Sequence, residues 1–287
     1  MPPGVVPLAP DEPKLVYHYT DTAGLFGVVK DKVLWASDVW FMNDAREALY
    51  GLEAIERALE SFNLPTGTVS EIRQGALDLL QAIRKQQELS PSYISCLSFA
   101  EDDLSQWRAY GRPRGFSIGF DTAQLRSLCA PSPVPDLPTF RRVEYDEAQQ
   151  ARVVAILFNT AIKDLSAAPT ADQMHALAAG FVNASLVLAP ALKHPAFSSE
   201  REVRLHVYRL PNATSGLLFR PGAMGIVPYV NIDLKNPGGD EITCIREVVI
   251  GPQPNALESQ RSVKQFLTHK GLPNVEVRLS KVPLRSG

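Results

Sequence analysis

The sequence predicts an α+β protein: mixed, curved β-sheets with flanking helices and a helical insertion. Two features of the 287-residue chain lead to that class. Short runs rich in aromatic and β-branched residues recur from one end to the other, with longer stretches of helical spacing between some of them. The runs are not separated by regular crossover helices, so a doubly wound parallel sheet is not expected.

Residues 15–20 (LVYHYT) read as a first strand, and 22–30 as a short helix with Leu25, Val28 and Val29 at helical spacing. A second extended piece covers 33–37 (VLWAS). Asn43 or Asp44 supplies an N-cap for a helix running towards Phe62, with Leu49, Leu52, Ile55 and Leu59 on one face. Another helix covers about 69–88, followed by a strand at 92–99, a helical turn at 103–110 and a strand at 115–120. The proline-bearing stretch 130–138 is a loop, and 140–145 is extended. Two helices, about 147–165 and 170–192, form the insertion. Strands at 202–208, 227–234 and 245–250, a helix near 257–269 and a strand near 275–279 close the chain. Residues 15–287 are therefore read as one domain, with the insertion at about 147–192 and a flexible lead-in over 1–14.

Lys plus Arg number 29 and Asp plus Glu 31, so no overall field points to nucleic acid or an anionic membrane. Three scattered cysteines give neither a disulfide framework nor a C-x-x-C metal site. The opening residues lack a basic segment followed by an apolar one. The longest apolar stretch, 177–192, is short for a bilayer and carries polar residues. Together these predict a cytoplasmic protein with no membrane partner. The five histidines show no ligand spacing, so no metal is expected.

Motifs for dinucleotide and triphosphate loops, the nucleophile elbow and zinc proteases are absent. Polar residues cluster instead in a few segments. His18 lies within the first strand, where period-two alternation sets it with Val16 and Thr20, opposite Tyr17 and Tyr19. It is either a satisfied core histidine or the donor to a ligand hydroxyl. Arg46 follows the capping residues and could grip a phosphate. Trp107 and Tyr110 share a helical face beside Arg108, Arg112 and Arg114, a setting suited to a planar anion as well as to core packing. In 200–206 (EREVRLH), Val203 and Leu205 face the core, which puts Glu200, Glu202, Arg204 and His206 on the other face. That face is either a solvated ladder of ion pairs or the wall of a cleft with a working carboxylate. Tyr19, Ser98 and Arg204 complete the candidate ligand contacts.

The segments VYHYT (16–20), LWASDVWFMND (34–44), CLSF (96–99), LSQWRAYGRPRGFSIGFD (104–121), FSSEREVRL (197–205), VPYVNIDL (227–234) and REVVIGP (246–252) together resemble a bacterial family known only as domain of unknown function 2971. A second likeness runs to ADP-ribosyltransferases, in which an early-strand histidine, an aromatic against nicotinamide and a later-strand glutamate occur in that order. His18, Tyr110 or Trp107, and Glu202 with Glu200 in reserve follow it here. That likeness implies NAD as a small nucleotide ligand and substrate, and transfer of ADP-ribose to a protein or nucleic-acid acceptor in a toxin or phage-defence setting. It also implies an ADP-ribosyltransferase-like sheet. The alternatives are a non-catalytic nucleotide sensor built on the same cleft, and an RNA-directed toxin acting through His18 and the arginines. The oligomeric state is left open.

Overall fold

The computed structural model describes residues 12–42, 45–64, 66–86, 92–110, 114–210, 213–222 and 225–283, without the side chains of 45–48 and 86. The expected N-cap at Asn43 or Asp44 and the arginines at 46 and 112 lie outside the described residues or side chains.

Ten strands join in one mixed, open and curved sheet. They are β1 (Leu15–Thr20), β2 (Val33–Asp38), β3 (Ser92–Ser98), β4 (Phe116–Asp121), β5 (Thr139–Arg142), β6 (Glu202–Tyr208), β7 (Leu218–Gly222), β8 (Gly225–Asp233), β9 (Ile245–Ile250) and β10 (Glu276–Leu279). The main path runs β10-β9-β4-β1-β3-β2-β8-β7, with β6 on β3 and β5 on β6. Among the described strands only β9 and β10 pair in parallel, which α8 (Ala256–His269) makes possible by crossing between them. The remaining strand pairs are antiparallel.

The middle of the sheet forks. β6 pairs with β3 along its whole length, from Ser92↔Tyr208 to Ser98↔Glu202. A strand has two edges, so β1 and β2 must share the other one. β2 takes its beginning, at Tyr93 and Ile94, and β1 takes its end, at Ser98. Residues 95–97 of β3 face the gap between them. α1 (Thr22–Asp31) turns the chain between the two strands that divide this edge, and Lys32 ends that helix in the left-handed region with its N–H on the Val28 carbonyl.

Two large apolar cores form. Alternate residues of the strands, among them Val16, Ile118, Val203, Leu205 and Val248, pack against α1, α5 (Thr122–Ser127) and α8. The second core is helical and joins α2 (Ala45–Ser61), α3 (Thr68–Gln86), α6 (Glu147–Ile162) and α7 (Ala171–Leu188) through Leu52, Ile55, Leu80, Phe158 and Phe181. The helical layer therefore takes in two early helices as well as the expected segment at 147–192. An apolar-faced helix finds its partners in space, so α2 and α3 belong to the same layer despite their distance along the chain. Gly51 lets α2 approach this close, because a Cβ there would overlap the backbone carbonyl of Ala189.

Residues 12–14 are tied down: Glu12 pairs with Arg126, and the Pro13 and Lys14 carbonyls accept from Thr122. Residues 171–191 are long and apolar enough by composition to cross a membrane. In the fold, however, that helix buries Ala178, Phe181, Val182, Ser185 and Leu186 against its neighbours.

Candidate functional site

The fork opens into a cleft of about 620 Å³, within the roughly 300–1,000 Å³ range of small-molecule sites. His18, Tyr110, Glu200 and Glu202, from three distant stretches of sequence, all line it.

His18 stands at the fork itself. Its Nδ1 lies 2.9 Å from the Cys96 carbonyl, in the span of β3 that neither β1 nor β2 pairs. A carbonyl can only accept, so Nδ1 carries the proton and the neutral ring presents Nε2 as an acceptor. Burial lowers the imidazole pKa below its ordinary 6.5, against a smaller upward pull from the Cys96 hydrogen bond. The ring is neutral at physiological pH. This reverses the expected polarity: the histidine N–H is committed to the backbone, and a ligand hydroxyl would donate to Nε2.

The second wall is a buried charge cluster. The face of β6 bearing Glu202, Arg204 and His206 is dry, with each residue under a tenth exposed, and the segment around 189–193 lies against Glu202 and Arg204. It is therefore not a solvated ladder of ion pairs. Arg204 grips Glu202 with two nitrogens, Nε to Oε1 at 2.7 Å and Nη2 to Oε2 at 2.9 Å. Its Nη1 donates to the Pro190 carbonyl at 2.6 Å. Lys193, only 2% exposed, bridges Glu202 Oε2 at 3.1 Å and the Glu200 carboxylate. Burial pushes the Glu202 pKa up, but the Arg204 and Lys193 charges outweigh it and hold the group at about 2. Glu202 is ionised across the physiological range. Cys96 lines the cleft beside it, and burial together with that carboxylate pushes the thiol well above its ordinary range, so it is a poor nucleophile.

Tyr110, at the end of α4 (Leu104–Tyr110), has its phenol pushed up by burial and by the nearby Cys96 and Glu202. It stays protonated and able to donate. Trp107, one turn earlier, faces the other way. It is 5% exposed, packs edge-on against Tyr19 at 4.8 Å between ring centroids, and donates from Nε1 to Asp102 at 2.7 Å. At this point α4 has one aromatic for the cleft and one for the core.

The other candidates have structural employment. Tyr19 borders the cleft, but its hydroxyl donates to the Ala100 carbonyl and accepts from the Asp103 N–H. Ser98 donates to the Glu200 carbonyl at 2.6 Å and accepts from the Ala100 N–H, fixing the turn that presents Glu200. Arg204 supports Glu202 from behind the cleft wall. Arg108 is exposed and does not line the cavity. The sequence reading missed Trp35, Ser37 and Arg220, which line the end of the cleft away from α4. Trp35 was legible as the one polar-edged aromatic of β2. Nothing local marks Arg220, since β7 reaches the cleft only by pairing with β8. No group of three or more metal-ligating side chains is gathered among the described residues.

Residues 106–205 match the family model described as protein of unknown function (DUF2971), which supports the resemblance read from the motifs over that part of the chain. No curated protein and no solved structure matches the chain.

Proposed function

We propose that the cleft binds a nucleotide and that the protein transfers ADP-ribose from NAD to a macromolecular acceptor. One observation carries the reading: His18, Tyr110 and the Glu200–Glu202 pair, contributed by three remote segments, border a single cavity of ligand size. In this scheme the bond between the ribose anomeric carbon and nicotinamide breaks. Nicotinamide leaves with the bonding electron pair, and positive charge develops on the ribose. The acceptor nucleophile then bonds to that carbon and releases its proton to water. His18 Nε2 accepts from a ribose hydroxyl, Tyr110 flanks the nicotinamide, and the ionised carboxylates offset the developing charge.

A second reading has its own support. Among the described residues, the Arg204 and Lys193 charges are paired with Glu202 and Glu200, which weakens the hold of these two carboxylates on an oxocarbenium-like state. That balance favours a nucleotide sensor that binds without turning its ligand over.

The test is nicotinamide release from NAD by the full chain, followed by chromatography alongside a thermal-shift titration. Release that is lost in Glu200→Gln and His18→Ala variants of unchanged melting temperature supports transfer. Stabilisation by NAD with no release favours the sensor, and neither effect at millimolar NAD removes both readings.

A further inference from the structure

We infer that Arg220, seated on Trp35 at the edge of the fork, forms an anion subsite for the phosphate groups of a nucleotide diphosphate. The inference deepens the nucleotide reading and rests on it for the cleft being a ligand site. It does not require that any bond be broken.

Arg220 is the only lysine or arginine among the described residues lining the cleft. Of the other charged residues described in the lining, Glu200 and Glu202 are answered by Lys193 and Arg204, and Asp21 caps α1 by accepting from the Gly24 N–H. Arg220 has no carboxylate opposite it among the described residues. Its Nη2 donates to Ser37 Oγ at 2.9 Å, and its guanidinium carbon lies 5.7 Å from the centre of the Trp35 ring. Trp35 is braced in turn by Tyr229, 5.3 Å away between ring centres. The cation is therefore held in place by a hydroxyl and an aromatic face, neither of which neutralises it.

Its Nε is buried and has no hydrogen-bond partner among the described residues. A buried charged donor left unmatched is costly, and a fold keeps one mainly where something else supplies the acceptor. Nε and Nη2 lie along the edge of the guanidinium that meets two oxygens of a phosphate side by side, and Nη2 spends only one of its hydrogens on Ser37. Arg220 would therefore bind the doubly charged portion of a dinucleotide, with the ribose end directed towards His18.

The experiment is calorimetric titration of the full chain with adenosine, ADP and inorganic pyrophosphate, and with a short single-stranded RNA, in wild type, Arg220→Gln and Arg220→Lys. The inference expects ADP and pyrophosphate to bind wild type at least tenfold more tightly than they bind Arg220→Gln, with Arg220→Lys between them and adenosine little changed. The Arg220→Gln variant should keep its melting temperature, because no ion pair is lost. Equal pyrophosphate and ADP affinity in wild type and Arg220→Gln overturns the inference, as does binding of the RNA alone. Failure of NAD turnover leaves it standing if the ADP difference is found, so the two readings fail separately.

Discussion

Glu202→Gln tests the buried cluster most directly. The substitution keeps the size of the side chain and removes its charge, leaving Lys193 and Arg204, 2% and 4% exposed at the side chain, with Glu200 as their remaining carboxylate among the described side chains. The pKa of Glu202 sits at about 2 in the fold against an ordinary 4.5. That interval, at about 1.4 kcal/mol per pH unit, makes the ionised form worth about 3 kcal/mol at neutral pH. Removing one partner of a buried ion pair independently leads to about 3–5 kcal/mol. We therefore expect Glu202→Gln to lose about 3 kcal/mol at pH 7 by equilibrium urea unfolding. Because the folded pKa is depressed, this contribution is complete above about 4.5 and disappears as pH falls through 2. The gap between the two proteins should narrow only in that acid window. Adding Lys193→Met restores the charge balance and should recover part of the loss. A loss under about 1 kcal/mol at pH 7, or a gap that does not change with acid, would refute the account of the cluster. For the same reason, loss of turnover in Glu202→Gln alone would not establish a chemical role.

Two further outcomes follow from packing and charge. His206 is held at about 3 against an ordinary 6.5, by burial first and then by Arg141 and Arg204. The fold keeps it neutral while the unfolded chain takes up a proton, so its stabilisation is lost as pH drops from 6.5 towards 3. The melting temperature should fall over that range, and His206→Gln should flatten the slope; an unchanged slope counts against the assignment. Gly51→Ala gains about 1 kcal/mol in helix propensity, but its methyl must displace the Ala189 carbonyl, at a cost of about 1–3 kcal/mol from overpacking. A lower melting temperature is expected, and a higher one would mean that α2 and the 189–191 turn separate freely.

Local pattern was enough to determine most elements. LVYHYT made β1, the apolar spacing of 22–30 made α1, and Val203, Leu205 and Val207 marked the core side of β6. The same periodicity placed Glu202, Arg204 and His206 together on one face, since side-chain direction in a strand depends only on parity. What lay over that face was not a local property. Lys193 and the 189–191 turn, brought in by the helical layer, turned an apparent ladder of surface ions into a buried cluster. Likewise α4 set Trp107 and Tyr110 three residues apart, and only packing against Tyr19 decided which one faced the cleft. The fork had no sequence signal at all. It exists because β6 claims a whole edge of β3, leaving β1 and β2 to divide the other, and strand pairing is a long-range choice that no single segment encodes.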